Sequence, residues 1–251
     1  MPKNPYEVTG AAAETRWRQP AADLFGPVPF SCAHVGVSTA GKTSQQLTII
    51  NAVLPVMDRV VIFSHSISPH SSTPLDPAWQ ELREKIADKA RARGENPETH
   101  PFVFDSLAQL PRVIAQQRER VQEGKDTGAT VLPQLLIVLS DMLGEQRNPH
   151  VELLATRGRH AGISLSCDSQ VVRGLGASAR KNFSMWCIGK LPFSDWKIFE
   201  DENAGVNVDR KQLRELWQRA LAEPYGFLFY KPREKPGYQF YSKFSTRLVP
   251  S

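Results

Sequence analysis

The sequence predicts an α/β fold, a mostly parallel sheet with helices on both faces. Short apolar runs recur at 30–35, 60–63, 102–104, 135–139, 163–167 and 184–188. Stretches of helical period separate most of them. The runs are apolar nearly throughout, as in strands covered on both faces, and strand–helix alternation implies parallel neighbours joined by crossovers. At 251 residues, 41% hydrophobic and 23% charged, the chain has enough apolar material for one large core.

In chain order, residues 1–25 are polar, include Pro20, and read as a loose arm ahead of a single domain over 26–251. The run 30–35 is a strand, and 43–54 a helix with apolar Leu47, Ile49, Ile50 and Val53, stopped at Pro55. Val60, Val61, Ile62 and Phe63 form a second strand, followed by a Ser/Pro/Thr-rich loop over 65–74. Asp76 and Pro77 supply an N-cap and a first-turn proline to a helix with Trp79, Leu82 and Ile86 on one face, which Gly94 ends. After a short strand at 102–104, residues 107–123 form a helix. Leu135 to Leu139 is wholly apolar and ends in Ser140-Asp141. A helix over 151–159 leads to the strand at 163–167, and 184–188 is one more strand. Helices follow near 194–202 and 210–222, and residues 223–251 form a terminal β-hairpin extension with arms at 227–230 and 238–244.

The residues between the first strand and its helix are Gly36-Val37-Ser38-Thr39-Ala40-Gly41-Lys42-Thr43, matching G-x-x-x-x-G-K-[ST]. Glycines let the backbone turn tightly and approach an anion, and successive N–H groups with the following helix N-terminus face phosphate oxygens. Lys42 is placed to reach the β- and γ-phosphates, Thr43 to bind Mg²⁺, and Ser44 completes the segment. ATP and Mg²⁺ are the expected ligands. Ligands of such sheets sit at the carboxyl ends of the strands, here closed by Gly36, Ser64, Asp141 and Gln170.

Asp141 ends the most hydrophobic strand, where a carboxylate holds Mg²⁺ or polarises the attacking water, the Walker B arrangement. Two adjacent acids are usual there; this chain has Ser140-Asp141-Met142. Either Ser140 replaces the first acid, touching Mg²⁺ through water, and Asp141 is the second, or Asp141 holds the metal and Glu145 is the base. The first is favoured, because the apolar run stops at Leu139. Gln170, beyond the next strand, has an amide suited to sensing the γ-phosphate or orienting water. Arg159 is a candidate arginine acting on a neighbouring subunit's nucleotide; the alternative is a solvated helix end. Arg173, Arg180 and Lys181, and separately Lys89, Arg91 and Arg93, are basic groups able to meet nucleic-acid phosphates, although solvated surface is the commoner role.

A net charge of +5 permits a polyanionic partner without requiring one. Cys32, Cys167 and Cys187 read as buried free thiols of a reducing compartment, with no C-x-x-C pair to suggest zinc. No signal peptide or apolar run of membrane-spanning length is present.

The order GVSTAGKT, LLIVLSDM, RGRHAGISLSCDSQ and ARKN resembles the genome-packaging ATPases of large DNA viruses and membrane-containing icosahedral viruses, within the FtsK–HerA group of DNA-pumping ATPases. The segment from Arg159-His160 to Gln170 is similar to that family's arginine–histidine strand with its terminal glutamine, and Arg180-Lys181-Asn182 to its R-x-N element; the likeness covers about 30–188. It implies a RecA-like P-loop domain and an ATPase working as a homo-oligomeric ring on double-stranded DNA, in the virion or the infected cell's cytoplasm. A capsid or membrane vertex protein is a possible partner. Gly36, Gly41, Lys42 and Thr43 match the family's nucleotide site, Asp141 its Walker B acid, Gln170 its sensor and Arg159 its trans-acting arginine. Set against this are a cellular or plasmid DNA pump, disfavoured because no anchoring span is seen, a small P-loop kinase or nucleotide switch, and a nucleotide-dependent structural component in which Ser140 marks lost hydrolysis.

Overall fold

The computed structural model describes residues 16–21, 25, 27–67, 76–97, 102–142, 144–145, 147–205 and 207–250. Most of the loop expected over 65–74, and the first fifteen residues of the expected arm, lie outside them. The six N-terminal strands are β1 (Ser31–Val35), β2 (Arg59–Phe63), β3 (Val103–Phe104), β4 (Leu135–Leu139), β5 (Ile163–Ser169) and β6 (Met185–Ile188). They form a parallel sheet in the order β3-β2-β4-β5-β1-β6. Helices α1 (Lys42–Val53), α2 (Pro77–Ala92), α3 (Leu110–Asp126), α4 (Pro149–Arg157), α5 (Ala177–Arg180), α6 (Phe193–Asn203) and α7 (Arg210–Ala220) intervene.

Two apolar cores cover the sheet's faces. One holds Ala33, Ile137, Leu165, Trp186, Trp196 and Leu213; the other holds Cys32, Ile50, Trp79, Val138 and Cys187. This two-sided burial is why β4 and β5 have no exposed residue. The expected caps are in place at α2: Asp76 accepts from the Ala78 N–H and Pro77 stands in the first turn.

The chain ends as an antiparallel extension of the same sheet. β7 (Leu228–Tyr230) pairs with β6, then β8 (Phe240–Ser242) and β9 (Thr246–Leu248) follow. The expected hairpin is β7–β8, and β9 is a further strand the sequence pattern did not separate: Lys243, at φ 52°, turns the chain within the run expected as a single arm. The four-residue α5 was also unforeseen.

At the amino ends of the strands, the N-terminal stretch is tied down over its described part. Leu132 N–H donates to the Arg16 carbonyl, Arg18 and Gln134 exchange backbone–side-chain hydrogen bonds of 2.9 and 3.0 Å, and Arg18 pairs with Asp58. Trp17 lies against Gly162, whose φ of 64° and lack of a Cβ both suit the contact; a Cβ there would stand 2.4 Å from the indole. The glycine of the Arg-His-Ala-Gly stretch therefore has a packing reason.

Candidate active site

β1 ends at Val35 and the chain turns into the phosphate loop at Gly36, where a Cβ would stand 2.8 Å from that of Ala40. The Gly36 N–H donates to the Ser169 carbonyl and the Val37 N–H to that of Lys190, fastening the loop to β5 and to the segment after β6. Thr39 (φ 68°) and Gly41 (φ 77°) take the left-handed conformation. Gly41 is the N-cap of α1 and makes no side-chain cap bond, so the first N–H groups of α1 are open to an anion.

Lys42 Nζ donates to the Gly36 and Val37 carbonyls at 2.8 and 3.0 Å, poised across the loop. Burial pushes its pKa below the ordinary value, while Asp168 and Asp141 act against that shift. Ser38, Thr39, Gly41, Lys42 and Thr43 line a cleft of about 370 Å³ together with Ser140, Asp141 and Gln170. Val37 and Ala40 complete the loop, with Ala40 donating back to Val37. Ser44 stands outside the lining, its carbonyl accepting from Thr48 Oγ1.

β5 lies between β1 and β4, so its carboxyl end sits between the phosphate loop and Asp141. This brings in Asp168, which sequence reasoning missed. It lines the same cleft, is 7% exposed, and its Oδ1 accepts the Asp141 N–H at 2.9 Å. Burial pushes its carboxyl up to about 6; the Asp141 amide, Lys42 and His34 oppose the rise and the Asp141 charge adds to it. Asp141 itself is exposed, at φ 58°. An acid thus stands beside Asp141 on the neighbouring strand, whereas the chain itself has Ser140 before it. One signal was available: an aspartate continuing a buried strand is costly unless a partner or a function retains it.

Glu145 lies outside the cleft lining and faces His65, Oε1 to Nε2 3.4 Å. Arg159 is exposed on the turn before β5, at the opposite end of the sheet from Lys42; seven residues of strand, about 23 Å, separate the two ends. It cannot reach a nucleotide in its own subunit. Arg180 is engaged by Glu202 through Nε and Nη2, and Lys89, Arg91 and Arg93 are held by the Leu54 carbonyl, Asp88 and Glu95.

The chain after β6 also reaches the cleft. Trp217 stacks on Trp196 at 4.2 Å and donates to the Gly189 carbonyl, bracing the segment that holds Val37. Tyr225, between α7 and β7, lines the cleft beside Gly41, is 75% exposed and has φ 54°, uncommon for a bulky residue. Trp79 and Ser66 close the wall. No local sequence signal marks Tyr225, which arrives through tertiary structure.

The oxygen donors Thr43, Ser140 and Asp141 in this lining fit a hard cation such as Mg²⁺. A strand–loop–helix turn after β1, with Asp168 and Asp141 at the carboxyl ends of β5 and β4, decides the fold. It is that of a P-loop NTPase.

Solved structures agree. The genome packaging NTPase B204 from Sulfolobus turreted icosahedral virus 2 in complex with ATP-gammaS superposes with a TM-score of 0.56 at 13% identity, covering 87% of this chain and 98% of that one. The same protein in complex with sulfate gives 0.54 at 13% identity, over 88% and 98%. Its AMP complex gives 0.50 at 12%, over 82% and 98%. No family model and no curated protein matches the chain. Among the described residues no helix is long and apolar enough to cross a membrane.

Proposed function

We propose that the chain is an ATP-driven double-stranded DNA translocase that packages a viral genome, working as a homo-oligomeric ring. The observation that carries the reading is one cleft holding Lys42, Thr43, Asp141, Asp168 and Gln170. The viral packaging NTPase with the same fold, itself solved with ATP-gammaS, supports it.

The loop N–H groups and Lys42 bind and orient the β- and γ-phosphates. Thr43, Asp141 and Ser140 would hold Mg²⁺, which would supply charge neutralisation on the phosphates. Asp168, buried and raised toward neutrality, takes the proton of the attacking water, and Gln170 orients that water. Asp141 and Asp168 replace the adjacent acid pair, which moves the base from Asp141 or Glu145 to Asp168. Arg159 acts on a neighbouring subunit's nucleotide, because its own is out of reach. DNA lies against the ring's channel, with a capsid or membrane vertex protein as the docking partner.

Steady-state ATP hydrolysis with and without double-stranded DNA, on a preparation of measured oligomeric state, tests this. Hydrolysis by a ring that DNA stimulates, lost in Lys42→Ala, is expected. A monomer that DNA does not stimulate and that phosphorylates a small acceptor would establish the kinase reading instead.

A further inference from the structure

Beneath the phosphate loop, on the face covered by α1, three side chains converge that the nucleotide site does not use. Cys32 and His34 lie on β1, two residues apart and so on one face, and Cys187 pairs with His34 from β6. Their ligand atoms all lie within 4.8 Å of one another, and each residue is 0% exposed. We propose that Cys32, His34 and Cys187 bind one Zn²⁺ ion, pinning β1 to β6 at the root of the phosphate loop.

Donor chemistry, charge and hydrogen bonding support the site. Two thiolates and an imidazole are a borderline-soft donor set suited to zinc. Two thiolates with a divalent ion and a neutral histidine sum to zero charge, which a buried site requires. The His34 Nε2 faces Ser166 Oγ at 3.1 Å, while Nδ1 is buried without a hydrogen-bond partner. A proton on Nε2, donated to the Ser166 hydroxyl, leaves the Nδ1 lone pair for a metal and fixes the ring, the usual outer-shell arrangement. Gln46 Nε2 stands 3.5 Å from the same hydroxyl, so the Ser166 side of the ring is held by a second buried polar group.

With Zn–S bonds of about 2.3 Å, sulfurs in a tetrahedral site stand about 3.8 Å apart, so closure from within 4.8 Å asks for at most about 1 Å of movement. Binding releases both thiol protons as two Zn–S bonds form, with no change of oxidation state. Sequence spacing pointed away from zinc because the two cysteines are separated by 155 positions and meet only through β1–β6 pairing.

The test uses the full chain, kept reduced and stripped by chelator, titrated with Zn²⁺ and then Co²⁺. One ion per chain and a thiolate-to-cobalt charge-transfer band are expected. Cys32→Ser and Cys187→Ser should lose both, while Cys167→Ser, whose thiol lies on the opposite face, should keep both. Zn²⁺ should also raise the Tm of the wild type but not of Cys32→Ser. Uptake by the wild type no greater than by the two serine variants, or a cobalt spectrum without a thiolate band, overturns the proposal. The cobalt spectrum is read on the wild type alone, so a variant that fails to fold does not blunt the test.

Discussion

Asp168→Asn should make the protein more stable and nearly inactive. The substitution keeps an oxygen to accept the Asp141 N–H and removes a charge from a position that is 7% exposed. The carboxyl is raised from 3.8 to about 6, chiefly by burial. At 1.36 kcal/mol per tenfold, this is about 3 kcal/mol spent on keeping the ionised form folded. The folded state holds the proton more tightly than the unfolded chain, so stability is highest below pH 4 and falls as pH rises through about 6. Asparagine has no such dependence. Its advantage should be small at pH 4, about 0.5 kcal/mol, grow between 4 and 6, and reach up to about 3 kcal/mol at pH 7, some 2–4 °C in Tm for each kcal/mol. Thermal melts in chelator without nucleotide, run from pH 4 to 8, measure it. Hydrolysis at saturating ATP and Mg²⁺ should fall about 10²–10⁴-fold, the span of a lost general base. Turnover within threefold of wild type, or a Tm difference independent of pH, would refute the assignment of Asp168 as a buried, ionised base. Glu145→Gln in parallel should leave turnover within twofold.

Other outcomes follow from the same geometry. Tyr225→Ala should raise the KM for ATP about tenfold with kcat little changed, and Tyr225→Phe should restore it if the ring stacks on the base; steady-state kinetics read the split. Arg159→Ala subunits mixed with Lys42→Ala subunits should recover part of the hydrolysis each lacks, and no recovery in intact rings would reject a trans role. Gly162→Ala should cost about 2–4 kcal/mol in denaturant unfolding, because the residue is left-handed and its Cβ would meet Trp17 and the Pro133 carbonyl.

The phosphate loop and the strand–helix alternation are readable from sequence because their causes are local. Gly36 and Gly41 meet steric demands of their own turns, Pro77 and Asp76 those of a helix start, and the apolar run of β4 reports burial on both faces. The two readings of Ser140-Asp141 could not be resolved that way. Along the chain the next acid after Asp141 is Glu145, which the fold turns toward His65. The acid that accepts the Asp141 N–H stands on β5, because that strand is inserted between β1 and β4. Arg159 shows the same limit: its residue type suits phosphate, but strand direction sets it at the far end of the sheet.

By itself the sequence determined that this chain has an α/β P-loop fold, with Lys42 and Thr43 closing the loop between β1 and α1. Turn sterics, caps and hydrophobic period act over a few residues and leave their mark in order along the chain. Only the tertiary structure decided that Asp168 joins Asp141, that Tyr225 comes to Gly41 from near the end of the domain, and that Cys32, His34 and Cys187 share one buried corner. Strand order and register bring those groups together, and no local pattern records which strands will be neighbours.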